Sequence, residues 1–490
     1  MFEVKFKEKL AKKRENLDVE FGLEEIIEAT GAKVIKNKTE KDAKFSFSTD
    51  TRTIKQGEIY LPLRGANFDG EKFVDKAIEA GAVGCFISYT PSPQPSPQMG
   101  EGALLILQVD DTLEAYLQLA RFYRRKINPI TIAITGSSGK TTTKEMAYCV
   151  ASEKFKTHKS ELNFNNEIGL CKTILSMPED TQVLILEMGM RGLGEIELLS
   201  KYSEPDIAII ANVGTTHIGR LGSRENIAKA KCEILKYLKD DGILIAHDDE
   251  LIKKRCEEVK KRRCVDENSP PSTSLRFLPS NLRFFSLLEV NFLNRQIGYS
   301  KFEYKHHIYE LNIEGDYNIQ NSLAVIEMGL QLKMSEEEIA QGLKKYSPIE
   351  KRWEVQEIKG FKIINDSYNA NPESMRGVIK TVLDIYQPPV LLVLGDMCEL
   401  GENEIKYHQE IGHFLLKNLK EGVSVLTVGK LASEITEILN SKVKYSTNFE
   451  NNLQISRYIL DNVPVSTTIV LKASRSMKFE EIIEEVSGKE

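Results

Sequence analysis

The sequence predicts an α/β protein of three domains, with mostly parallel sheets in the central and third ones. Three observations predict it. At 490 residues the chain is too long for one core. From about residue 111 onward, near-continuous apolar runs alternate with helical patterns, as strands buried on both faces of a parallel sheet require. One such run, 130–134, passes straight into Thr135-Gly136-Ser137-Ser138-Gly139-Lys140-Thr141 and then a helix start, a strand–glycine turn–helix junction.

Composition excludes several classes. Hydrophobic content of 41% and charged content of 28% fit a soluble globular protein. A net charge of −6 offers no basic field, so no nucleic-acid partner is expected. The first twenty residues are charged and lack an apolar core, so no signal peptide is expected. No apolar run approaches the ~20 residues of a membrane span. Seven cysteines are scattered without a C-x-x-C pair. They suit a reducing cytoplasm and argue against a disulfide framework or a structural zinc.

Residues 1–110 carry strand candidates at 59–63 and 83–88 with a helical pattern at 73–80 between them. The Pro/Ser/Gln/Gly-rich segment 91–102 reads as a surface insertion in preference to a proline-rich ligand. Residues 111–348 carry strands at 130–135, 182–187, 206–212 and 242–246. The stretch 251–310 is less regular, with a turn at 269–272 and strand-like pieces after it. Residues 349–490 carry strands at 361–365, 390–394, 423–428 and 467–471, a second α/β sheet without its own phosphate loop. Ligands of such sheets sit at the strands' carboxyl ends.

The chemistry-bearing residues lie there. Gly136 and Gly139 let backbone N–H groups approach phosphate oxygens, Lys140 can reach the β- and γ-phosphates, and the Thr141 hydroxyl can hold Mg²⁺, so the chain is expected to bind ATP or a relative. Glu187 ends an apolar strand and is either a Mg²⁺ ligand or a solvated strand end. His217, just past strand 206–212, is either structural or a ligand. Lys231 lies about 40° from Ile227 on a helical wheel, inside the apolar stripe of 223–238. There it is costly unless paired or modified, or else it snorkels. In NDSYNANPESM (365–375), Asn371 suits an N-cap, Pro372 the first helical position and Glu373 the first turn, which leaves Asp366, Tyr368 and Asn369 for polar contacts with a ligand. Lys472 and Arg475 follow a strand and could attract a carboxylate or phosphate.

Together these motifs resemble the Mur ligase family of ATP-dependent amide-forming enzymes, over nearly the whole chain. TGSSGKTTTKE resembles its ATP loop, LEMGMRGLGEI its acidic metal motif, and NVGTTHIGRLGS carries its histidine. DSYNANPESM is similar to the branch that joins D-alanyl-D-alanine to UDP-N-acetylmuramoyl-tripeptide (UDP-MurNAc-tripeptide), and STDTRTIKQGEIYLPLRGANFDG (48–70) to that branch's uridine-nucleotide domain.

The resemblance implies a UDP-binding domain (1–110), an ATP-binding ligase domain (111–348) and a Rossmann-like domain (349–490). It implies that Gly136, Ser137, Ser138, Gly139, Lys140, Thr141 and Thr142 bind the ATP phosphates, with Thr141, Glu187 and His217 on metal. It implies that Lys231 is carbamylated to an oxygen ligand for a second Mg²⁺. Lys140, Glu187, His217 and Lys231 form the implied catalytic set. Asn318, Asn321, Arg352 and Asp366 would meet the nucleotide. Ser48, Asp50, Arg52, Asn67, Asn163, Asn165, Tyr368, Asn369, Asn371, Ser474 and Arg475 would meet the other substrates. An acyl phosphate, a cytoplasmic location and a monomer are also implied. Tyr317, Glu161-Leu162, Cys171, Ala246 and Ala473 depart from the family pattern, and none removes an implied phosphate or metal ligand. Two alternatives stay open: another amide ligase of this architecture, such as a folylpolyglutamate ligase, and a nucleotide switch without ligase chemistry. A guanine-specific N-K-x-D motif, which a G-protein-type switch needs, is missing from the sequence.

Overall fold

The computed structural model describes residues 19–65, 68–88, 102–161, 163–265, 281–349, 351–439 and 446–488. Asn67, most of the proline-rich segment and the 269–272 turn lie outside the described residues. Two compact units form. One comprises Met1–Thr131, Lys156–Leu186 and Lys201–Glu204, and the other Ile132–Phe155, Glu187–Ser200 and Pro205–Glu490.

In the first unit a five-stranded sheet takes the order Lys33–Asn37, Leu105–Val109, Gly84–Ser88, Ile59–Tyr60, Phe47–Ser48. The strand expected over 59–63 is only Ile59–Tyr60, because the chain turns back and Gly70 N donates to Leu63 O at 3.0 Å. The helical pattern at 73–80 is a 3₁₀ turn, Gly70–Phe73, followed by the helix Val74–Glu79. The helix Thr112–Ile127 starts on Asp111, whose side chain accepts from Glu114 N at 2.8 Å, as an N-cap should.

In the second unit residues 132–135 of the strand Ile130–Thr135, then Ile207–Ile210, Ile243–His247 and Leu282–Phe285, pair in parallel in that order. Ile132, Ala133, Ile134, Ala208, Ile209, Leu244 and Ile245 are wholly buried, the signature of a sheet covered on both faces. Within 251–310 lie the helix Glu250–Val265, the strand Leu282–Phe285 and an antiparallel sheet of Asn291–Gln296, Tyr299–Tyr304 and His307–Leu311. The 223–238 helix is α only over Arg224–Lys231 and tightens to 3₁₀ over Cys232–Tyr237.

The second sheet of this unit runs Glu354–Ile358, Phe361–Asn365, Thr468–Lys472, Val390–Gly395, Val423–Val428, Ser446–Phe449. Its first pair is antiparallel and the rest are parallel. One face packs Ile363, Leu391, Val393, Leu426 and Leu471 against Ile455, Ile459, Phe479 and Ile482 of two C-terminal helices. Among the described residues no helix is long and apolar enough to cross a membrane.

Candidate functional site

The strand Ile130–Thr135 delivers the glycine turn to the helix Lys140–Ala151. Gly139 has φ +77°, and a Cβ there would collide with the Asn321 amide, so the turn needs glycine for both torsion and space. Lys140 Nζ folds back on its own loop and donates to Gly136 O at 2.8 Å. Asn212, at the end of the next strand, staples the loop. Its Oδ1 accepts from Ser137 N (3.0 Å) and Ser138 N (2.9 Å), and its Nδ2 donates to Ser138 O (2.9 Å). Sequence reasoning missed Asn212, although a polar residue closing an apolar strand beside the loop was its signal.

Glu187 comes to the same edge because Met188 N donates to Ile134 O at 2.8 Å. Its carboxylate is buried, and Lys144 Nζ, wholly buried, lies 3.7 Å from it and 3.2 Å from Glu145. Lys144 was also missed: from the sequence it is one more lysine on a helix.

His217 sits in the left-handed region (φ +66°) with Nδ1 2.7 Å from Glu399 Oε2. Burial lowers its pKa; Glu399 opposes this, while Lys140 and Lys231 reinforce it. Lys231 is 1% exposed, with Lys229 and Lys236 on the outer face, so the stripe reading holds and the snorkelling one does not. Burial, then the charge of Lys140, holds its ammonium well below the usual lysine range. Lys140 is itself lowered by burial, with Glu187 pulling the other way and Arg352 adding to the fall. Lys140, Glu187, His217, Lys231 and Arg352 therefore share one electrostatic field, although they come from five separate segments.

The carboxyl edge of the sheet that holds Phe361–Asn365 and Thr468–Lys472 reaches the same place. Asn371 caps the helix Pro372–Ile385, accepting from Ser374 N at 2.8 Å, while its Nδ2 donates to Ser138 Oγ (2.8 Å) and Thr216 Oγ1 (2.7 Å). Here it bridges protein to protein. Glu373 accepts from Thr215 Oγ1 at 3.0 Å. The Arg352 guanidinium lies 3.9 Å and that of Arg475 5.2 Å from the Tyr368 ring centroid. Asp366 accepts from Trp353 N (3.1 Å) and pairs with Lys472 at 2.8 Å. Lys472 also donates to Asp366 O and Asn369 O, so the carboxylate this cation attracts is the chain's own Asp366. Asn369 Oδ1 accepts from Ala370 N, and Ser474 Oγ accepts from Cys398 N. Asn318 Nδ2 donates to Glu314 O, and Asn321 packs on Gly139. Tyr317 is buried edge-to-face against Trp353 at 6.1 Å. Thr141 and Thr142 are buried at the helix start.

In the first unit, Arg52 Nε donates to Asp50 Oδ1 at 2.9 Å, and the Arg52 guanidinium holds the Asp50 carboxyl down at about 2. Ser48 Oγ donates to Asp50 O at 3.1 Å, and Lys172 adds its field at Asp50. Asn163 is exposed and its carbonyl accepts from Asn165 N at 2.8 Å. Asn166 caps the helix Glu167–Leu175.

The donor set fits a hard cation through Thr141 and Glu187. Among the described residues no group of three or more His, Cys, Asp or Glu side chains could hold a metal ion. Among the described residues Lys231 has no carboxylate partner, and its amine is held toward the neutral form that reacts with CO₂; as a carbamate it would add the missing oxygens.

Over residues 134–329 the chain matches the Mur ligase middle domain, and over 351–475 the Mur ligase glutamate ligase domain. It is 36% identical over 447 residues to the UDP-N-acetylmuramoyl-tripeptide–D-alanyl-D-alanine ligase of Bacillus subtilis (strain 168), covering 90% of this chain and 92% of that one. The ligase of the same name from Escherichia coli (strain K12) is 28% identical over 438 residues, 89% of this chain and 92% of that one. Among solved structures, MurF from Acinetobacter baumannii superposes with a TM-score of 0.82 at 25% identity, covering 96% of this chain and 99% of that one. The fold is also that of MurF ligase from Thermotoga maritima in complex with ADP, with a TM-score of 0.75 at 24% identity, covering 90% of this chain and 97% of that one.

Proposed function

The chain belongs to the Mur ligase family, and on that premise we propose that it is the ATP-dependent, ADP-forming ligase that joins D-alanyl-D-alanine to UDP-MurNAc-tripeptide in peptidoglycan precursor synthesis. The observation that carries the reading is the 36% identity over 92% of the Bacillus subtilis ligase. The three domains are taken as 1–110, 111–348 and 349–490, and the protein as a cytoplasmic monomer.

In the reaction, ATP phosphorylates the tripeptide's terminal carboxylate to an acyl phosphate and ADP. The dipeptide amine attacks, a tetrahedral intermediate forms, and phosphate leaves. Loop N–H groups at 136–142 bind the phosphates, and Lys140, released from Gly136 O, offsets charge on the transferring group. Mg²⁺, when bound, neutralises phosphoryl oxygens. Thr141, Glu187, His217 and a carbamylated Lys231 are the residues proposed to hold two such ions. Asn318, Asn321, Arg352 and Asp366 are assigned to the nucleotide. Ser48, Asp50, Arg52, Asn67, Asn163 and Asn165 are assigned to the uridine substrate, and Tyr368, Asn369, Asn371, Ser474 and Arg475 to the peptide ends. The shared field of Lys140, Glu187, His217 and Lys231 supports this set.

The test is phosphate release from ATP and Mg²⁺ with UDP-MurNAc-tripeptide, with and without D-alanyl-D-alanine, and mass spectrometry of the product. Release that needs both substrates, with a UDP-MurNAc-pentapeptide mass, is expected. Release indifferent to both would overturn the assignment.

A further inference from the structure

His217 and Glu399 meet through an arrangement that neither residue's own segment explains. Their side chains are 18% and 42% exposed, and Nδ1 lies 2.7 Å from Oε2. Both backbones are left-handed, φ +66° and +64°, a region that non-glycine residues occupy only when their surroundings impose it.

Those surroundings are specific. Gly219 N donates to Glu399 O at 3.2 Å. The backbones of Gly219 and Gly401 then pass so closely that a Cβ on Gly219 would lie 2.5 Å from Gly401 N. Behind this contact the segment is tied to its own sheet. Met397 N donates to His408 Nε2 at 2.9 Å, His408 Nδ1 donates to Glu404 O at 2.7 Å, and Cys398 N donates to Ser474 Oγ at 2.9 Å. A carboxylate this exposed adds little to stability.

We propose that Glu399 is the positioning residue of His217. Its charge, 2.7 Å from Nδ1, orients the ring with Nε2 as the remaining nitrogen, so the histidine is set only when segment 396–401 is docked on Gly219. A carboxylate behind a ligating histidine is the usual device for fixing its ring. The inference rests on His217 belonging to the proposed ligase site, but its first readout needs no activity.

The full-length protein, labelled with ¹⁵N-histidine and free of ligands, is compared with Glu399→Ala, Glu399→Gln and Gly219→Ala. The His217 ring-nitrogen signals are expected to move in Glu399→Ala and in Gly219→Ala, which separates the two segments without touching either side chain. They should return part-way in Glu399→Gln, which keeps an acceptor. In ligation, kcat should fall about 10–100-fold in Glu399→Ala with KM for ATP within about threefold, and Glu399→Ala combined with Gly219→Ala should be no worse than the less active single variant. Unmoved ring signals in Glu399→Ala, or losses that multiply in the double variant, would overturn the proposal. Ring signals that move in the variants, together with a wild-type protein that does not ligate, would sink the function and leave the positioning intact.

Discussion

Asn371 Nδ2 donates to Ser138 Oγ across 2.8 Å, joining a helix cap of the C-terminal sheet to the phosphate loop from 233 residues away. The same side chain's Oδ1 holds the cap, so its two ends serve different purposes.

Replacing Asn371 separates them. Asn371→Asp keeps the cap acceptor and loses both donors, so thermal stability should stay near wild type while hydrogen exchange over 136–142 accelerates. Asn371→Ala loses both functions and should also destabilise by roughly 1 kcal/mol. Equal exchange in the two variants and the parent would remove the bridge from the account.

Lys144 Nζ lies 3.7 Å from the buried Glu187 carboxylate, so replacing the lysine takes away one compensating charge. Lys144→Met should cost roughly 2–4 kcal/mol in urea unfolding, and Lys144→Met with Glu187→Gln should recover at least half of it. Additive losses would mean that the two side chains do not share the interaction.

The Tyr368 ring lies under both Arg352 and Arg475. Tyr368→Ala should weaken ADP binding about 3–30-fold by calorimetry, the range of a partly desolvated cation–π contact, and Tyr368→Phe should stay within about twofold. A Phe variant as weak as the Ala one would point to the hydroxyl instead.

Glu204 contributes to the pH dependence of the first unit. Burial opposes its ionisation, but hydrogen bonds from Arg125, Arg121 and Arg124 outweigh this and hold its carboxyl down at about 2 against an ordinary 4.5. With the folded pKa depressed, its contribution is fully present above pH 4.5 and is lost as pH falls toward 2. Glu204→Gln should therefore be less stable than wild type at pH 7, by up to about 3 kcal/mol, and the gap should close between pH 4.5 and 2. A gap constant across that window would show that packing, not charge, sets it.

Lys231 tests the modification. In protein equilibrated with ¹³CO₂, a carbamate carbon signal is expected that is absent from Lys231→Met. That variant should unfold no more easily than the parent, since it puts an apolar side chain at a fully buried position, yet lose ligation by at least about 100-fold. Absence of the signal in the parent would leave the lysine unmodified.

What the sequence determined by itself is local. The apolar runs at 361–365 and 423–428 became strands with those bounds, Asn371-Pro372 became cap and first turn, and Gly136 to Thr141 became a strand–turn–helix junction. Each follows from torsional and periodic rules acting over a few residues. Helical period placed Lys231 in the stripe, and the structure decided between burial and snorkelling. What only the tertiary structure decided is pairing. Asn212 on the loop, Lys144 on Glu187, Lys472 on Asp366 and Glu399 on His217 join segments far apart in the chain, and a residue's type says that it can donate or accept without saying to whom. Glu399 and Lys144 look like any surface charge in the sequence, and they acquire their roles only where the sheet edges converge.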